Sequence, residues 1–250
     1  MSVEAHDGTD GDKLSVLVSV DVPDPEQISP LLIEMLEPLR VHLLGTYVVP
    51  EQTAPEQARE QFESETSASL EEVAAVFDDA GVEVERQLVF VPDSLEAAER
   101  TAVEQDCHAV LLVKPVYSLK RILAAVRPGP MDTRILHVLG DLLRDTDYSA
   151  TLLYVAPEEE GEEDGRTSRK EMRLLERELV EQEGVDADRI ATRVAVGDDP
   201  EPVVEEAARD HDVVLIGETK PSVQEKIFGS FSRRLADDTD RPVLVVRREL

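Results

Sequence analysis

One segment near the end of the chain combines the residue types that bind phosphate groups. It begins at Gly217 and closes with Gly229 and Ser230, while Lys220 and Arg233 place positive charge within it and just after it. Glycines let the backbone approach a phosphate closely, and a helix that begins after Gly229 and Ser230 offers N–H donors to an anion. These five residues therefore form a candidate anion-binding site.

An acid that follows the first predicted strand adds a second candidate. Asp21 comes directly after the apolar run at residues 16–20, and Arg127 occupies the equivalent place after a similar run at residues 122–126. Ligands of open parallel sheets bind beyond the carboxyl ends of the strands, so both positions fall at an edge that could hold a ligand. Asp21 therefore joins the candidate binding residues.

No group of residues in the sequence has the spacing of a catalytic or metal centre. The five histidines show no metal-ligand spacing, and Cys107 is the single cysteine. Ser19 and Ser230 lack the strand–turn–helix context of an activated nucleophile. Paired acids stand at the ends of predicted elements, where a solvated role is expected. We therefore expect no metal, no enzymatic activity and a structural role for Cys107.

The charge of the chain limits its partners. The net charge is −29 over 250 residues, with 26 Lys and Arg against 55 Asp and Glu. Such a surface repels phosphate backbones, which disfavours nucleic-acid binding. The scarcity of lysine among the bases resembles proteins of salt-accumulating halophiles, in which multimolar salt screens like charges. We expect the fold to be less stable in dilute buffer because these charges repel one another.

The elements that position the candidate residues occur twice along the chain. Three apolar blocks repeat in the same order at offsets of 104 to 107 residues. The pairs are residues 16–20 and 122–126, 47–51 and 154–158, and 109–113 and 213–217. Three such blocks at nearly one offset indicate a duplication.

Each copy alternates apolar strands with amphipathic helices, which predicts a doubly wound parallel sheet. The fold class is therefore α/β, with two tandem Rossmann-like domains at residues 14–118 and 119–250 after a disordered acidic N-terminus at residues 1–13. Only seven residues separate Val113 from Arg121, too few for a helix and a strand, so the first domain lacks its last helix and strand. In the second domain, Glu158–Arg166 is predicted as an acidic loop before a helix at Ser168–Glu183.

The segment from Gly217 to Ser230 resembles the ATP-binding loop of the universal stress protein family. That loop reads Gly-x-x-Gly, nine residues, then Gly-Ser or Gly-Thr, followed by a helix and a final strand. The run Arg-Pro-Val-Leu-Val-Val-Arg at residues 241–247 is similar to that ending. The chain is thus identified as a member of this family, similar to its tandem-domain proteins of haloarchaeal type, and the resemblance implies an adenine nucleotide alpha hydrolase-like fold with ATP or AMP as ligands.

Three departures from the family pattern leave two alternatives open at this loop. Lys220 stands in place of the second glycine, and eight residues rather than nine separate it from Gly229. Arg127 stands where the family has an acid that meets the nucleotide. The first copy keeps that acid as Asp21 but lacks the loop. Either the loop still binds a nucleotide or another anion, or it is a vestigial turn and helix cap. Pro221 favours the second alternative because it removes an N–H donor.

The resemblance implies a regulatory protein of the stress response that is located in the cytoplasm. Separate family chains pair through their fifth strand, which the first copy lacks. This predicts either an asymmetric contact between the copies or a homodimer through the second domain. One alternative function is a protein-binding partner of a membrane transporter or antiporter that uses no nucleotide and does not enter the membrane. An adenylyl transferase is disfavoured because neither first strand is followed by a histidine-bearing phosphate motif.

Overall fold

Strands and helices alternate throughout the first half of the chain. The structure is a computed structural model that describes residues 13–127, 132–157, 162–218 and 230–247. The elements of the first half are β1 (Ser15–Asp21), α1 (Pro30–Met35), β2 (Arg40–Val48), α2 (Pro55–Asp79), β3 (Glu83–Val91), α3 (Ser94–Glu104) and β4 (Ala109–Leu112). The next element is already the first strand of the second half, so the first half does end after four strands.

The second half repeats this order and extends it by a helix and a strand. Its elements are β5 (Arg121–Ala125), α4 (Asp132–Leu143), β6 (Ser149–Ala156), α5 (Glu162–Glu181), a 3₁₀ turn (Ala187–Arg189), β7 (Ile190–Val196), α6 (Pro200–Ala208), β8 (Val213–Gly217), α7 (Ser230–Thr239) and β9 (Val243–Val246). The predicted α/β fold class is confirmed. Within the described ranges, no helix is both long and apolar enough to cross a lipid bilayer.

The predicted acidic loop is wrong in part, because α5 begins at Glu162 rather than at Ser168. Residues 162–166 of the predicted loop are therefore helical. An acidic composition does not exclude a helix start, because the N-terminal end of a helix carries a partial positive charge. Residues 158–161 lie outside the described residues.

Local signals in the sequence set several of the element boundaries. The Asp93 carboxylate accepts hydrogen bonds at 2.9 Å from the N–H groups of Leu95 and Glu96, which makes it the N-cap of α3. Gly81 follows α2 with a φ of +79°, a conformation that suits glycine and ends the helix. Both residues have the roles that the sequence predicts.

The strands of both halves form one nine-stranded sheet, in the order β3-β2-β1-β4-β9-β8-β5-β6-β7. All neighbours are parallel except β4 and β9, which pair antiparallel with Ala109 opposite Val246 and Leu112 opposite Val243. The strands of the two halves therefore run in opposite directions. The halves meet in an asymmetric contact, in which the fourth strand of the first half pairs with the fifth strand of the second.

This pairing occupies both edges of β9, since β8 lies on its other side. A homodimer cannot form by adding a strand to β9 in this fold. Dimerisation through another surface of the second half stays a prediction.

The apolar core lies in two layers, one on each face of the sheet. One layer packs under α1, α2, α4 and α5, and the other packs under α3, α6 and α7. Each layer contains fully buried residues from both halves, such as Leu32 with Leu139 in one and Leu17 with Val214 in the other. The halves therefore share a continuous core.

Arg247, the residue after β9, fixes the end of this strand to the first half. It is only 6% exposed, and its Nη1 donates to the carbonyl oxygens of Ala102 at 2.7 Å and Cys107 at 2.9 Å. The Ala102 carbonyl lies in the last turn of α3, where the helix carries a partial negative charge, and Cys107 follows the helix. The backbone N–H of Arg247 also donates to the carbonyl oxygen of His108 at 2.8 Å.

We predict that Arg247→Ala lowers the free energy of unfolding by about 2 kcal/mol or more, because it leaves buried carbonyls without their charged donor. Urea unfolding at a fixed KCl concentration measures this change. The control is Lys114→Ala, which removes an exposed ion pair between the halves (Lys114 Nζ to Asp237 Oδ1, 2.7 Å) and is expected to cost less than about 1 kcal/mol. Equal effects of the two variants would contradict a special role for Arg247.

Candidate functional site

The carboxyl edge of the first half carries the predicted acid. Asp21 is the last residue of β1 and its side chain is exposed. The hydroxyl of Thr46, at the end of β2, donates to Asp21 Oδ1 at 2.8 Å. Thr46 itself is fully buried, so it holds the carboxylate at a fixed place on this edge. After β4, the chain continues through Val113 and Lys114 into the second half, with no phosphate-binding loop.

The carboxyl edge of the second half carries the other candidates. Gly217 ends β8 and is partly buried, while Ser230 begins α7 and is exposed. Arg233 lies in the first turn of α7 and is exposed, as is Arg127 after β5. The two remaining candidates, Lys220 and Gly229, lie outside the described residues.

The structure does not bring Asp21 together with the other candidates. Because β4 and β9 are antiparallel, the carboxyl ends of β1–β4 lie at the edge of the sheet where β5–β9 begin. Asp21 is therefore at one end of the sheet, and Gly217, Ser230 and Arg233 are at the other. Asp21 and the loop residues therefore belong to separate candidate sites, one in each half.

One ion pair and one cation–π contact near the start of α7 involve residues that the sequence analysis missed. Arg234, next to the predicted Arg233, forms an ion pair with Glu201 in the first turn of α6, and its guanidinium lies 5.7 Å from the Phe231 ring centroid. The Glu201 carboxylate therefore neutralises the Arg234 guanidinium close to the start of α7. Adjacent arginines point to different sides of a helix, and sequence alone does not tell which one meets an acid.

The histidines that precede two equivalent strands, β4 and β8, have structural partners. His108 Nδ1 accepts from the backbone N–H of Ser15 at 3.1 Å. The imidazole of His211 contacts the Ala207 carbonyl oxygen at 2.8 Å and the Thr151 hydroxyl at 2.9 Å. Burial raises the pKa of the Cys107 thiol to about 11, so the thiolate needed for reactivity is scarce at neutral pH. Across the described residues, no three metal-ligating side chains come together.

A parallel α/β sheet with helices on both faces and candidate residues at its carboxyl ends defines the Rossmann-like class of nucleotide-binding folds. Residues 118–247 match the model of the universal stress protein family. This stretch is more than half of the 250 residues, and the chain belongs to the universal stress protein family.

Solved structures extend the likeness to both halves. A universal stress protein from Archaeoglobus fulgidus DSM 4304 is 16% identical with a TM-score of 0.66, covering 94% of this chain and 96% of its own. A protein of unknown function from Pseudomonas aeruginosa PAO1 is also 16% identical, with a TM-score of 0.57 and coverage of 94% and 92%. At this identity the likeness shows a shared fold. No curated protein sequence matches the chain significantly.

A partly buried acidic cluster lies between α4 and the residues that follow α5. The Glu183 side chain lies against Gly140, where an added Cβ would come within 2.6 Å of it. His137 and Arg144 contact Glu183 at 3.5 and 3.4 Å, and Arg144 also contacts Asp141 at 3.1 Å. Burial is the main cause that raises the pKa of both carboxyls, and their mutual repulsion adds to it for Glu183. The cluster therefore costs stability at neutral pH.

We predict that Glu183→Gln raises the melting temperature by a few degrees at pH 7. Because the folded-state pKa of Glu183 is raised, its stabilising contribution is complete below the unfolded-state pKa and is lost as the pH rises through the folded-state value. The gain of the variant should therefore shrink as the pH falls into the range where carboxyls protonate. Melting curves across the acidic range test this trend.

The control is Glu181→Gln, which removes the same charge from an exposed side chain. It should leave the melting temperature nearly unchanged both at pH 7 and in the acidic range. If Glu183→Gln raised the melting temperature equally at every pH, burial of the Glu183 carboxylate would not be the cause. An equal rise in Glu181→Gln would contradict that cause as well.

Proposed function

We propose that this stress-response protein is a non-catalytic regulator that acts without binding ATP or AMP. The observation that supports the proposal is the separation of Asp21 from Gly217, Ser230 and Arg233 at opposite ends of the sheet. One nucleotide cannot contact the acid of the first half and the loop of the second half. Each edge therefore presents only part of the set that the family resemblance implies.

The electrostatics of the second half agree with this proposal. Arg127 stands where the family has an acid. A ribose hydroxyl would therefore meet a guanidinium, which can only donate hydrogen bonds, instead of a carboxylate that accepts them. At the start of α7, the charge of Arg234 is neutralised by Glu201. The whole chain, with a net charge of −29, opposes the approach of a nucleotide with several negative charges.

Calorimetric titration of ATP and of AMP in multimolar KCl tests this proposal. We expect no saturable heat from the wild-type chain or from Gly229→Val, in which a side chain would block close approach of the backbone to a phosphate. Saturable binding to the wild-type chain would overturn the proposal. Loss of that binding in Gly229→Val would then assign it to the loop, whereas equal binding would place it elsewhere.

A second candidate function is the protein-binding partner of a membrane transporter. The observation that favours it is Tyr117, in the segment that joins the halves, whose side chain is 89% exposed. Tyrosine supplies a large contact area and a hydroxyl at low entropic cost, and it is enriched among the residues that dominate protein interfaces. An exposed tyrosine between the halves therefore supports a role in binding a protein.

We predict that the wild-type chain retains a transporter from detergent-solubilised membranes of its own cell, and that Tyr117→Ala retains several-fold less. Val76→Ala is the matched control, because Val76 is an exposed apolar residue (48%) on α2, away from the linker. Mass spectrometry identifies the retained proteins. Recovery of no transporter, or equal loss in both variants, would contradict this candidate function.

A further inference from the structure

Two equivalent helices, α2 and α5, lie at opposite ends of the sheet. Each follows the second strand of its half, and both pack on the same face of the sheet. α2 lies against β3 and α5 lies against β7, which are the first and last strands in the sheet order. Both helices are therefore at the ends of the molecule, where a second copy of the chain can reach them.

The exposed side of α5 is basic. From residue 168 onward, its exposed side chains are Arg169, Lys170, Arg173, Leu174, Arg177 and Glu181. Residues four apart lie on one side of a helix, so Arg169, Arg173 and Arg177 form a row. We call these three residues and Lys170 the basic face of α5. Such a concentration of bases is unusual in a chain with 26 Lys and Arg against 55 Asp and Glu.

The exposed side of α2 has the opposite charge. Its only base is Arg59, whereas exposed carboxylates occur along its whole length. We call Glu60, Glu71, Glu72 and Asp78 the acidic face of α2. The helices have 25 and 20 residues, so the two faces are of similar length.

Neither face has a partner of opposite charge within its own molecule. Across the described residues, Arg169, Lys170 and Arg173 form no ion pair, and neither does any carboxylate of α2. Arg177 pairs only with Glu181, one turn further along α5, at 3.9 Å. The two faces cannot meet each other, because a spacing of about 4.8 Å between strands separates β3 from β7 by roughly 38 Å. Both faces are therefore available to another molecule.

We propose that the basic face of α5 in one copy of the chain docks on the acidic face of α2 in a second copy. Opposite charges on two surfaces of similar length steer such an encounter and fix its register. Leu174, which is 50% exposed beside the basic face, adds apolar contact. Because two different surfaces meet, each copy keeps one free surface of each kind, and the contact repeats into a ring or a filament.

The salt concentration determines when this contact can form. The net charge of −29 on each copy opposes association in dilute buffer. At about 1 M KCl the Debye length is about 3 Å, so distant charges on two copies no longer repel each other strongly. Oppositely charged groups in direct contact lie within this distance and keep part of their attraction. We therefore expect association at about 1 M KCl and less of it in dilute buffer.

Sedimentation velocity at about 1 M KCl tests this proposal. The wild-type chain should form species heavier than 27.7 kDa, and their fraction should rise with protein concentration. The α5 variant carries Arg169→Glu with Arg173→Glu, and the α2 variant carries Glu71→Arg with Glu72→Arg. Each variant then has two faces of the same sign, and its self-association should weaken about tenfold or more.

A mixture of the two variants gives the sharpest result. The acidic α5 of one variant meets the basic α2 of the other, so the mixture should associate although neither variant does so alone. The α2 variant also makes the net charge less negative, which by itself would favour association. A loss of association in this variant therefore cannot come from repulsion between whole molecules.

The matched control for the α5 variant is Arg100→Glu with Arg209→Glu. These exposed arginines lie on α3 and at the end of α6, on the other face of the sheet, and their reversal changes the net charge equally. The control should associate as the wild-type chain does. Unchanged melting temperatures establish that all variants are folded.

Three results would contradict the proposal. The first is a wild-type chain that stays monomeric at every protein concentration. The second is equal weakening in the control, which would assign the effect to the overall charge. The third is a mixture of variants that does not associate, which would place the contact elsewhere. The contact uses neither the nucleotide loop nor Tyr117, so its failure would leave the proposed function unaffected.

Discussion

The antiparallel pairing of β4 with β9 is the contact on which the rest of the molecule depends. It joins two parallel half-sheets into one sheet and makes the two halves run in opposite directions. It also determines which residues can meet, because the carboxyl edge of each half lies beside the amino edge of the other. The residues at the carboxyl ends of the two halves therefore cannot contribute to one ligand site.

This pairing also resolves a difficulty that the missing fifth strand creates. Without a neighbour, β4 would expose the unpaired backbone groups of an almost entirely apolar strand, and such an edge promotes aggregation. β9 covers that edge and simultaneously pairs with β8, so a single strand completes both halves. Arg247 then fastens the end of β9 to the carbonyls at the end of α3. Loss of this strand would open both halves at once.

The sequence predicted the elements well because their signals are local. Buried strands appear as short apolar runs, Asp93 and Gly81 have the residue types of helix caps, and the seven residues between Val113 and Arg121 cannot hold another strand. The relative direction of the halves has no such signal, because an apolar strand pairs equally well in either direction. For this reason the sequence alone does not show that Asp21 and the loop lie at opposite ends of the sheet. The start of α5 was missed because an acidic run resembles a loop in composition, although acids also stabilise the first turn of a helix.

The two copies have diverged in a way that changes where a ligand can bind. At the strand ends, each half keeps only part of the nucleotide-binding set, and the direction of β9 prevents the parts from combining. On the helix-covered face, the position occupied by His211 in the second half is occupied by Cys107 in the first. The imidazole of His211 joins the Ala207 carbonyl oxygen to the Thr151 hydroxyl, whereas the smaller thiol of Cys107 does not span that distance. The copies therefore differ in the packing at their strand starts as well as in the residues at their strand ends, because each side-chain change acts on one copy alone.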